Sequence, residues 1–325
     1  MTRYVVLGAG AIGCAVGARL DQAGREVVLV ARGAHLWVLR AAGLTLLTPD
    51  GPVHAAVPAV GVPGDLERRP DDVVLMCVKS QDTLSTLGTW ADWISDAPVF
   101  CLQNGVANEP TALRFVPTVH GGCVYLAARF TEPGTVAQFM APRTGVLSLG
   151  RYPEGSDEVD TAVSTDLTAA RFAAPVIGDV MRWKHGKLLR NLANGVDALC
   201  GGGPGVGDLL DAVEAEGRAV LTAAGVPFVS AREDDAARGD LIGVRDVPGV
   251  ARGGSSSWQS LARGTGSIET DWLNGEIVAL ARRHRVAAPV NEAVQSLARR
   301  AARDGAAPAS LDPAVLRRAA GLSHS

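Results

Sequence analysis

Through the first half of the chain, short apolar runs rich in Val, Leu and Tyr alternate with longer stretches whose apolar residues recur at helical spacing. Runs at 4–7, 27–30, 73–78 and 99–102 are apolar on consecutive positions, as expected of strands covered on both faces. Residues 12–22 and 84–94 fall between such runs and repeat apolar positions every three or four residues. Alternation of this kind predicts βαβ units and a parallel sheet. Further strands are expected at 119–130 and 145–149, and Asp50-Gly51 marks a turn or hairpin within 49–58.

From residue 179 onward the period is helical. Helices are predicted over 181–199, 208–224, 268–284, 290–303 and 313–320. Gly201-Gly202-Gly203-Pro204 stops the first, and Gly225 with Pro227 the second. Residues 252–257 are rich in Gly and Ser and read as a loop or linker. The expected organisation is α/β, with a parallel-sheet domain over 1–178 and an all-helical domain over 179–325. A length of 325 residues accommodates two domains of ordinary size.

Gly8-Ala9-Gly10-Ala11-Ile12-Gly13 follows the first predicted strand and opens the first predicted helix. In that setting each glycine has a backbone task. The first permits a tight turn, the second lets a pyrophosphate approach the main chain, and the third lets helix pack on strand. The helix N-terminus then offers unpaired N–H groups to phosphates. All six residues are candidate dinucleotide ligands. Sites for NAD place an acid at the end of the second strand to hold the ribose 2′-hydroxyl. Here that strand runs into Ala31-Arg32-Gly33, and no acid occurs until Asp50. Arg32 is positioned to take a 2′-phosphate, so the expected cofactor is NADPH.

Composition narrows the field further. Apolar residues make up 47% and charged residues 20%, which excludes a disordered chain. A formal charge of -3 gives no electrostatic case for nucleic acid as a partner. Cys14, Cys77, Cys101, Cys123 and Cys200 include no CxxC pair, so neither a disulfide framework nor a zinc cluster is expected. They read as buried reduced thiols of a cytoplasmic protein, and no metal site is expected. The run 4–17 could pass for a signal peptide, but its glycines belong to the turn just described. No run of 18 apolar residues occurs, so no membrane partner is expected.

Among 31 Lys and Arg residues only Lys79, Lys184 and Lys187 are lysine. Where coding bias has turned surface lysine into arginine, a surviving lysine marks a place that needs a releasable proton, which a guanidinium cannot supply. Lys79 and Asn104 each stand just past the C-terminal end of a predicted buried strand, the edge at which ligands of open α/β sheets bind. Lys187, Asn191 and Asn194 share one helical stripe, while Leu188, Leu189, Leu192 and Val196 supply apolar packing around the rest. Lys184, one turn earlier, is the rival to Lys187. Ser255, Ser256 and Ser257 form a hydroxyl-rich loop, and Glu269 with Asp271 flanks a helix start, where acids are also favoured by the dipole alone.

These motifs together resemble the ketopantoate reductase family. The matching segments are Gly8–Gly13, Arg32, Val78-Lys79-Ser80, Leu102-Gln103-Asn104-Gly105, Lys187-Leu188-Leu189-Arg190-Asn191, Ser256-Ser257, Ile268-Glu269-Thr270-Asp271 and Leu273-Asn274-Gly275. The resemblance implies an N-terminal Rossmann domain, a helical C-terminal domain for substrate and dimerisation, and NADPH-dependent reduction of a 2-oxo acid within pantothenate biosynthesis. It implies that Lys187 is the general acid and that Glu269 holds a substrate hydroxyl beside Asn191. Ser256 or Ser257 would donate to the substrate carboxylate, and Lys79 and Asn104 would line the cofactor near the reacting centre. The chain departs from the family where a further asparagine is replaced by Gly195, with Asn194 one position early. A residue also stands inserted between Ser257 and Glu269.

Two other functions fit parts of this pattern. One is the same scaffold acting on a different carbonyl or imine. The other is a non-catalytic NADP(H)-binding regulator, which would have no use for Lys187 and Glu269. The apolar C-terminal helices serve either a homodimer interface or the domain's own core.

Overall fold

Every side chain of residues 3–7 is buried, so the first strand must be covered on both faces. The computed structural model describes residues 2–203, 205–264 and 266–322. Pro204, part of the expected helix stop, lies outside them. In chain order, β1 (Arg3–Leu7), α1 (Ala11–Gln22), β2 (Glu26–Val30) and α2 (Gly33–Ala42) lead into a hairpin of β3 (Leu44–Thr48) and β4 (Gly51–Ala55). Next come β5 (Ala59–Val60), β6 (Asp72–Met76), α3 (Thr83–Ile94), β7 (Val99–Cys101) and α4 (Asn108–Ala112). Then follow β8 (Val119–Tyr125), β9 (Ala128–Glu132), β10 (Thr135–Gln138), β11 (Met140–Pro142), β12 (Val146–Arg151) and α5 (Glu158–Ala169). The C-terminal half begins with α6 (Val180–Asn191), α7 (Ala193–Cys200), α8 (Gly207–Ala223) and α9 (Ala231–Arg238). It continues through a short β13 (Ile242–Val244), α10 (Ser256–Ala262), α11 (Asn274–His284), α12 (Pro289–Arg303) and α13 (Pro313–Ala319).

Packing divides these elements into two units. The first comprises Met1–Asn104, Asn108–Met181 and Arg232–Arg252, and the second Gly105–Ala107, Arg182–Ala231 and Gly253–Ser325. In the first unit a seven-stranded sheet has the order β12-β8-β7-β6-β1-β2-β5. Neighbours are parallel except for β12, which runs antiparallel to β8. Tyr4 and Val6 share a core with Cys14, Ala15 and Ala18 of α1. Val5 and Leu7 share the opposite core with Leu87, Trp90 and Ile94 of α3. Burial on both sides is the reason the strands read as unbroken apolar runs. Each such large side chain contributes roughly 1.5–3 kcal/mol by leaving water.

Leu7 is level with Val30 on one side and with Met76 on the other, and Met76 is level with Cys101. The chain leaves β1 toward β2 but returns on the other flank as β6. Such a reversal opens a crevice at the C-terminal ends of the strands. The turns that start at Gly8, Ala31, Cys77 and Leu102 therefore share one edge.

A second sheet, β4-β3-β10-β9, contains the expected hairpin. The segment Arg232–Arg252 packs with the first unit, although it lies late in the chain. Its β13 pairs antiparallel with β11, placing Met140 opposite Val244. Tyr125 Oη donates to Asp234 Oδ2 at 2.7 Å, the Arg238 guanidinium lies 4.5 Å from the Tyr125 ring centre, and Val247 joins Ala137 and Phe139 in a small core.

In the second unit, α7, α8, α11 and α12 pack on one another around Leu192, Val196, Leu209, Val213, Ile277 and Val294, all fully buried. The single helix expected over 181–199 is divided at Leu192. The Leu192 carbonyl accepts from Asn274 Nδ2 at 3.1 Å. The same amide donates to Asn291 Oδ1 at 3.0 Å, and Asn291 Nδ2 donates to Glu216 Oε1 at 2.8 Å. The helix expected from 268 opens instead as a 3-10 turn, Glu269–Trp272, with α11 starting at Asn274. Residues 252–257 are only partly loop, because Ser255 caps α10 by accepting from Trp258 N. Of the unforeseen helices, α5 did carry a signal, the reciprocal capping box of Asp157 and Asp160. By contrast, α2 has no capping side chain to announce it.

At the opposite edge of the sheet Arg3 meets Asp72 through Nε at 2.7 Å and Nη2 at 2.8 Å, both residues being buried. Hydrogen bonding to Asp72 raises the Arg3 pKa above its ordinary value. Asp72→Ala leaves that charge buried without its carboxylate, with the Glu67 carbonyl still accepting from Nη2 at 2.7 Å, and should lower the urea-unfolding free energy by about 3–5 kcal/mol. Replacing both partners with apolar residues, Arg3→Met with Asp72→Leu, should recover most of the loss. An Asp72→Ala protein as stable as the wild type would show that the pair does not hold β1 to β6.

Candidate active site

The Gly8–Gly13 turn has the three backbone properties its spacing predicts. Gly8 sits at φ +108°, and a Cβ there would lie 2.6 Å from Val78 N. A Cβ on Gly13 would collide with the Gly8 carbonyl and lie 2.9 Å from Val6 Cγ1. At Gly10 the same atom would meet nothing within 4 Å. The turn is thus crowded on its protein side and open above Gly10, the geometry a pyrophosphate contact requires. Ala9 N is held by Val30 O at 2.9 Å, and Cys14 N donates to Gly10 O at 2.9 Å as the first bond of α1. The N–H groups of Ala11, Ile12 and Gly13 precede that bond and are the helix's unfilled donors. These residues fit a dinucleotide. Cys14 contributes no reactivity, because burial pushes its thiol pKa up to about 12.

Arg32 is exposed, in extended conformation, at the N-cap of α2 and two residues past the end of β2. Lys79 and Asn104 are half-buried on the turns that follow β6 and β7. Those turns are joined by side chains. Gln103 Nε2 donates to Val78 O at 2.7 Å and to Thr83 Oγ1 at 2.8 Å. Thr83 Oγ1 in turn donates to Asn108 Oδ1 at 2.8 Å. Asn108 Nδ2 donates to Asn104 O at 2.9 Å and to Ser80 Oγ at 3.3 Å, and Ser80 Oγ donates to Asn104 O at 3.2 Å. The amino-acid order singles out Lys79 and Asn104 as candidates but not Thr83 or Asn108, which join these turns. Asn108, one of only six asparagines, was the available signal.

On the second unit, Lys187 and Asn191 are half-buried on α6 and Asn194 half-buried on α7, while Leu188, Leu189, Leu192 and Val196 are buried. Lys184 is only 3% exposed, so it belongs to the packed side and not to the stripe's accessible part. Ser255 ties α10 to α7. Its N–H donates to Asp197 Oδ2 at 2.8 Å and its Oγ to Asn194 O at 3.3 Å. This tether brings Ser256 and Ser257 to the end of the polar stripe. Both of their hydroxyl oxygens are buried and make no hydrogen bond among the described residues, and the whole of Ser257 is inaccessible. The turn Glu269–Trp272 packs against α10, and Glu269 is buried at its start.

Gly195, where the family pattern has asparagine, faces the interior. A Cβ there would collide with Val294 Cγ1 and lie 3.0 Å from Asn274 Oδ1. No side chain can project from this position as the unit is packed. Among the described residues, His120, Asp157 and Asp160 bring potential metal-ligand atoms within 4.8 Å of one another. Those atoms already serve structure. Asp160 Oδ1 pairs with His120 Nδ1 at 2.8 Å, and Asp157 and Asp160 cap α5. No helix among the described residues is long and apolar enough to cross a membrane.

Comparison with known proteins places this arrangement. The family profile "Ketopantoate reductase PanE/ApbA" matches residues 4–154, and "Ketopantoate reductase PanE/ApbA C terminal" matches residues 179–302. A 2-dehydropantoate 2-reductase of Halobacterium salinarum is 31% identical over 93% of this chain and 100% of its own length. One from Pyrococcus horikoshii is 27% identical over 89% of this chain and 94% of its own. Among solved structures, a PanE/ApbA family ketopantoate reductase from Ralstonia eutropha superposes with a TM-score of 0.77 at 30% identity, covering 94% of this chain and 99% of that one. A D-mandelate dehydrogenase with NADH and anilino(oxo)acetate shares the fold, with a TM-score of 0.80 at 20% identity, covering 94% and 99%.

The crowding at Gly195 has a measurable consequence. Gly195→Ala should cost about 1–3 kcal/mol, the usual range for overfilling a packed core. Val294→Ala in the same chain should return part of that loss, so the two changes should be non-additive in a denaturant-unfolding cycle. Strict additivity would show that the alanine is accommodated elsewhere.

Proposed function

The chain belongs to the ketopantoate reductase family, and on that premise we propose that it reduces a 2-oxo acid to the 2-hydroxy acid with NADPH, ketopantoate to pantoate being the default pair. The dinucleotide is assigned to the sheet unit and the acid to the helical one. The observation that carries this reading is the polar stripe Lys187–Asn191–Asn194, tied through Ser255 to two buried serine hydroxyls that have no hydrogen-bond partner among the described residues. Buried polar atoms without partners are costly, and a substrate oxygen would satisfy them.

Bound NADPH supplies the hydride that reaches the carbonyl carbon. The residues of this chain manage the charge that results. As the carbonyl oxygen becomes an alkoxide, Lys187 Nζ stabilises it and then donates its proton there. Asn191 hydrogen-bonds beside it, Glu269 accepts from a substrate hydroxyl, and Ser257 or Ser256 donates to the carboxylate. Lys79 and Asn104 line the cofactor from the strand-end turns. Arg32 pairs with the 2′-phosphate, a contact that an acid at this position would repel.

Gly195 favours a second reading, of the substrate alone. The family's additional amide cannot be supplied there, which leaves room for a 2-oxo acid other than ketopantoate. NADPH oxidation followed against a panel of 2-oxo acids that includes ketopantoate separates the two. A wild type that oxidises NADPH with none of them would overturn the reductase reading itself.

NADPH should be preferred over NADH by at least about tenfold in kcat/KM, equivalent to roughly 1.4 kcal/mol. Arg32→Asp should narrow that gap by raising KM for NADPH. Equal use of both cofactors by the wild type would sink the assignment of Arg32.

Lys187→Ala should lower kcat by about 10²–10⁴, the range for removing a positioned general acid. Lys187→Arg should recover little, since a guanidinium keeps the charge but does not release the proton. NADPH affinity should stay near wild type in both variants. Full activity in Lys187→Arg would move the proton donor elsewhere. Lys184→Arg is a poor control for this experiment, because Lys184 is buried and the larger guanidinium would have to be packed.

A further inference from the structure

We propose that Thr83 and Asn108 are positioning residues. They close a buried hydrogen-bonded clamp that fixes the peptides carrying Lys79 and Asn104 where the nicotinamide end of the dinucleotide binds. The inference rests on the dinucleotide reading above and adds to it two residues with no assigned role.

Both Lys79 and Asn104 lie beyond the last ladder pair, Met76 opposite Cys101, where the task of holding one strand end to the next has passed from the ladder. Side chains take over that task, and reciprocally. Gln103, from the second turn, pins the Val78 carbonyl, which belongs to the same peptide unit as the Lys79 N–H. Ser80, from the first turn, pins the Asn104 carbonyl, and Asn108 pins it again. Each residue assigned to the cofactor thus has an adjoining carbonyl held by the opposite turn.

Thr83 is the hub. Its single hydroxyl accepts from Gln103 and donates to Asn108, which closes the circuit behind both turns. Ser80, Thr83, Gln103 and Asn108 are 2%, 2%, 5% and 2% exposed, so solvent cannot readily replace a lost bond. The clamp also reaches the phosphate turn. Gly8 passes so close to Val78 that a Cβ would lie 2.6 Å from its N, hence a shift of the Val78–Lys79 peptide is transmitted to the Gly8–Gly13 backbone. Displacements of this kind near a reacting centre cost up to about 10²-fold in rate for ~1 Å.

Thr83→Val keeps the β-branched shape and removes both bonds, whereas Thr83→Ser keeps the hydroxyl. The measurements are the NADPH dissociation constant by fluorescence titration, kcat and KM with the best 2-oxo acid, and the melting temperature. In Thr83→Val, NADPH should bind several-fold more weakly and kcat should fall about tenfold, at a temperature where the protein is folded. Thr83→Ser should restore both. Ser80→Ala, a milder cut at the far side of the clamp, should shift both quantities in the same direction by less, and it decides the matter if Thr83→Val does not fold. A lowered melting temperature with wild-type NADPH affinity and kcat would make the network a matter of stability alone and overturn the inference. Should the wild type bind NADPH but reduce no 2-oxo acid, the reductase reading falls while the affinity measurements still judge the clamp. A wild type that binds no NADPH ends both.

Discussion

The absence of two Cβ atoms, at Gly8 and Gly13, sets the geometry on which the sheet unit's chemistry depends. Gly8 brings its turn against the backbone at Val78, and Gly13 brings α1 against β1. Any larger residue at either place would push the glycine-rich turn away from the neighbouring strand end. Because Leu7, Val30, Met76 and Cys101 finish level, that one close approach aligns three further turns on a common edge. The edge then presents backbone N–H groups, an exposed arginine and two half-buried polar side chains within a single rim.

Much of this rim was legible in the amino-acid order because it follows from short-range rules. Apolar runs at 4–7 and 73–78 report a strand buried on both faces, and the glycine spacing reports a turn whose steric demands are local. The last two residues of the 73–78 run, Cys77 and Val78, are not strand. They are half-buried against the Gly-rich turn, and an apolar run by itself does not distinguish that from strand pairing. The half-burial of Lys187, Asn191 and Asn194 beside buried Leu188, Leu189, Leu192 and Val196 is equally a matter of local period.

What was not legible depends on contacts between residues far apart in the chain. The division at Leu192 is stabilised by Asn274, 82 residues away, and nothing in the local sequence around Leu192 breaks a helix. The serine loop has an ordered helix at its end because Asp197, 58 residues earlier, accepts its backbone N–H. Gly195 read as a missing functional group. In the folded unit it is a packing requirement imposed by Val294 and Asn274. The same reasoning accounts for Thr83 and Asn108, whose side-chain partners Gln103, Ser80 and each other lie 20 to 28 residues away and whose side chains carry no motif of their own.

The pairing of β13 with β11 bears on how the protein is made. Residues 232–252 complete a unit whose other parts were all synthesised by residue 181. A chain emerging from the ribosome therefore holds Phe139, Ala137 and the β11 edge without their cover while some fifty intervening residues, 182–231, are translated. Open strand edges invite pairing with other chains. The late segment thus closes one edge that the nascent sheet unit leaves open, and a ribosomal product cut short before it would keep that edge bare however well its glycine-rich turn had formed.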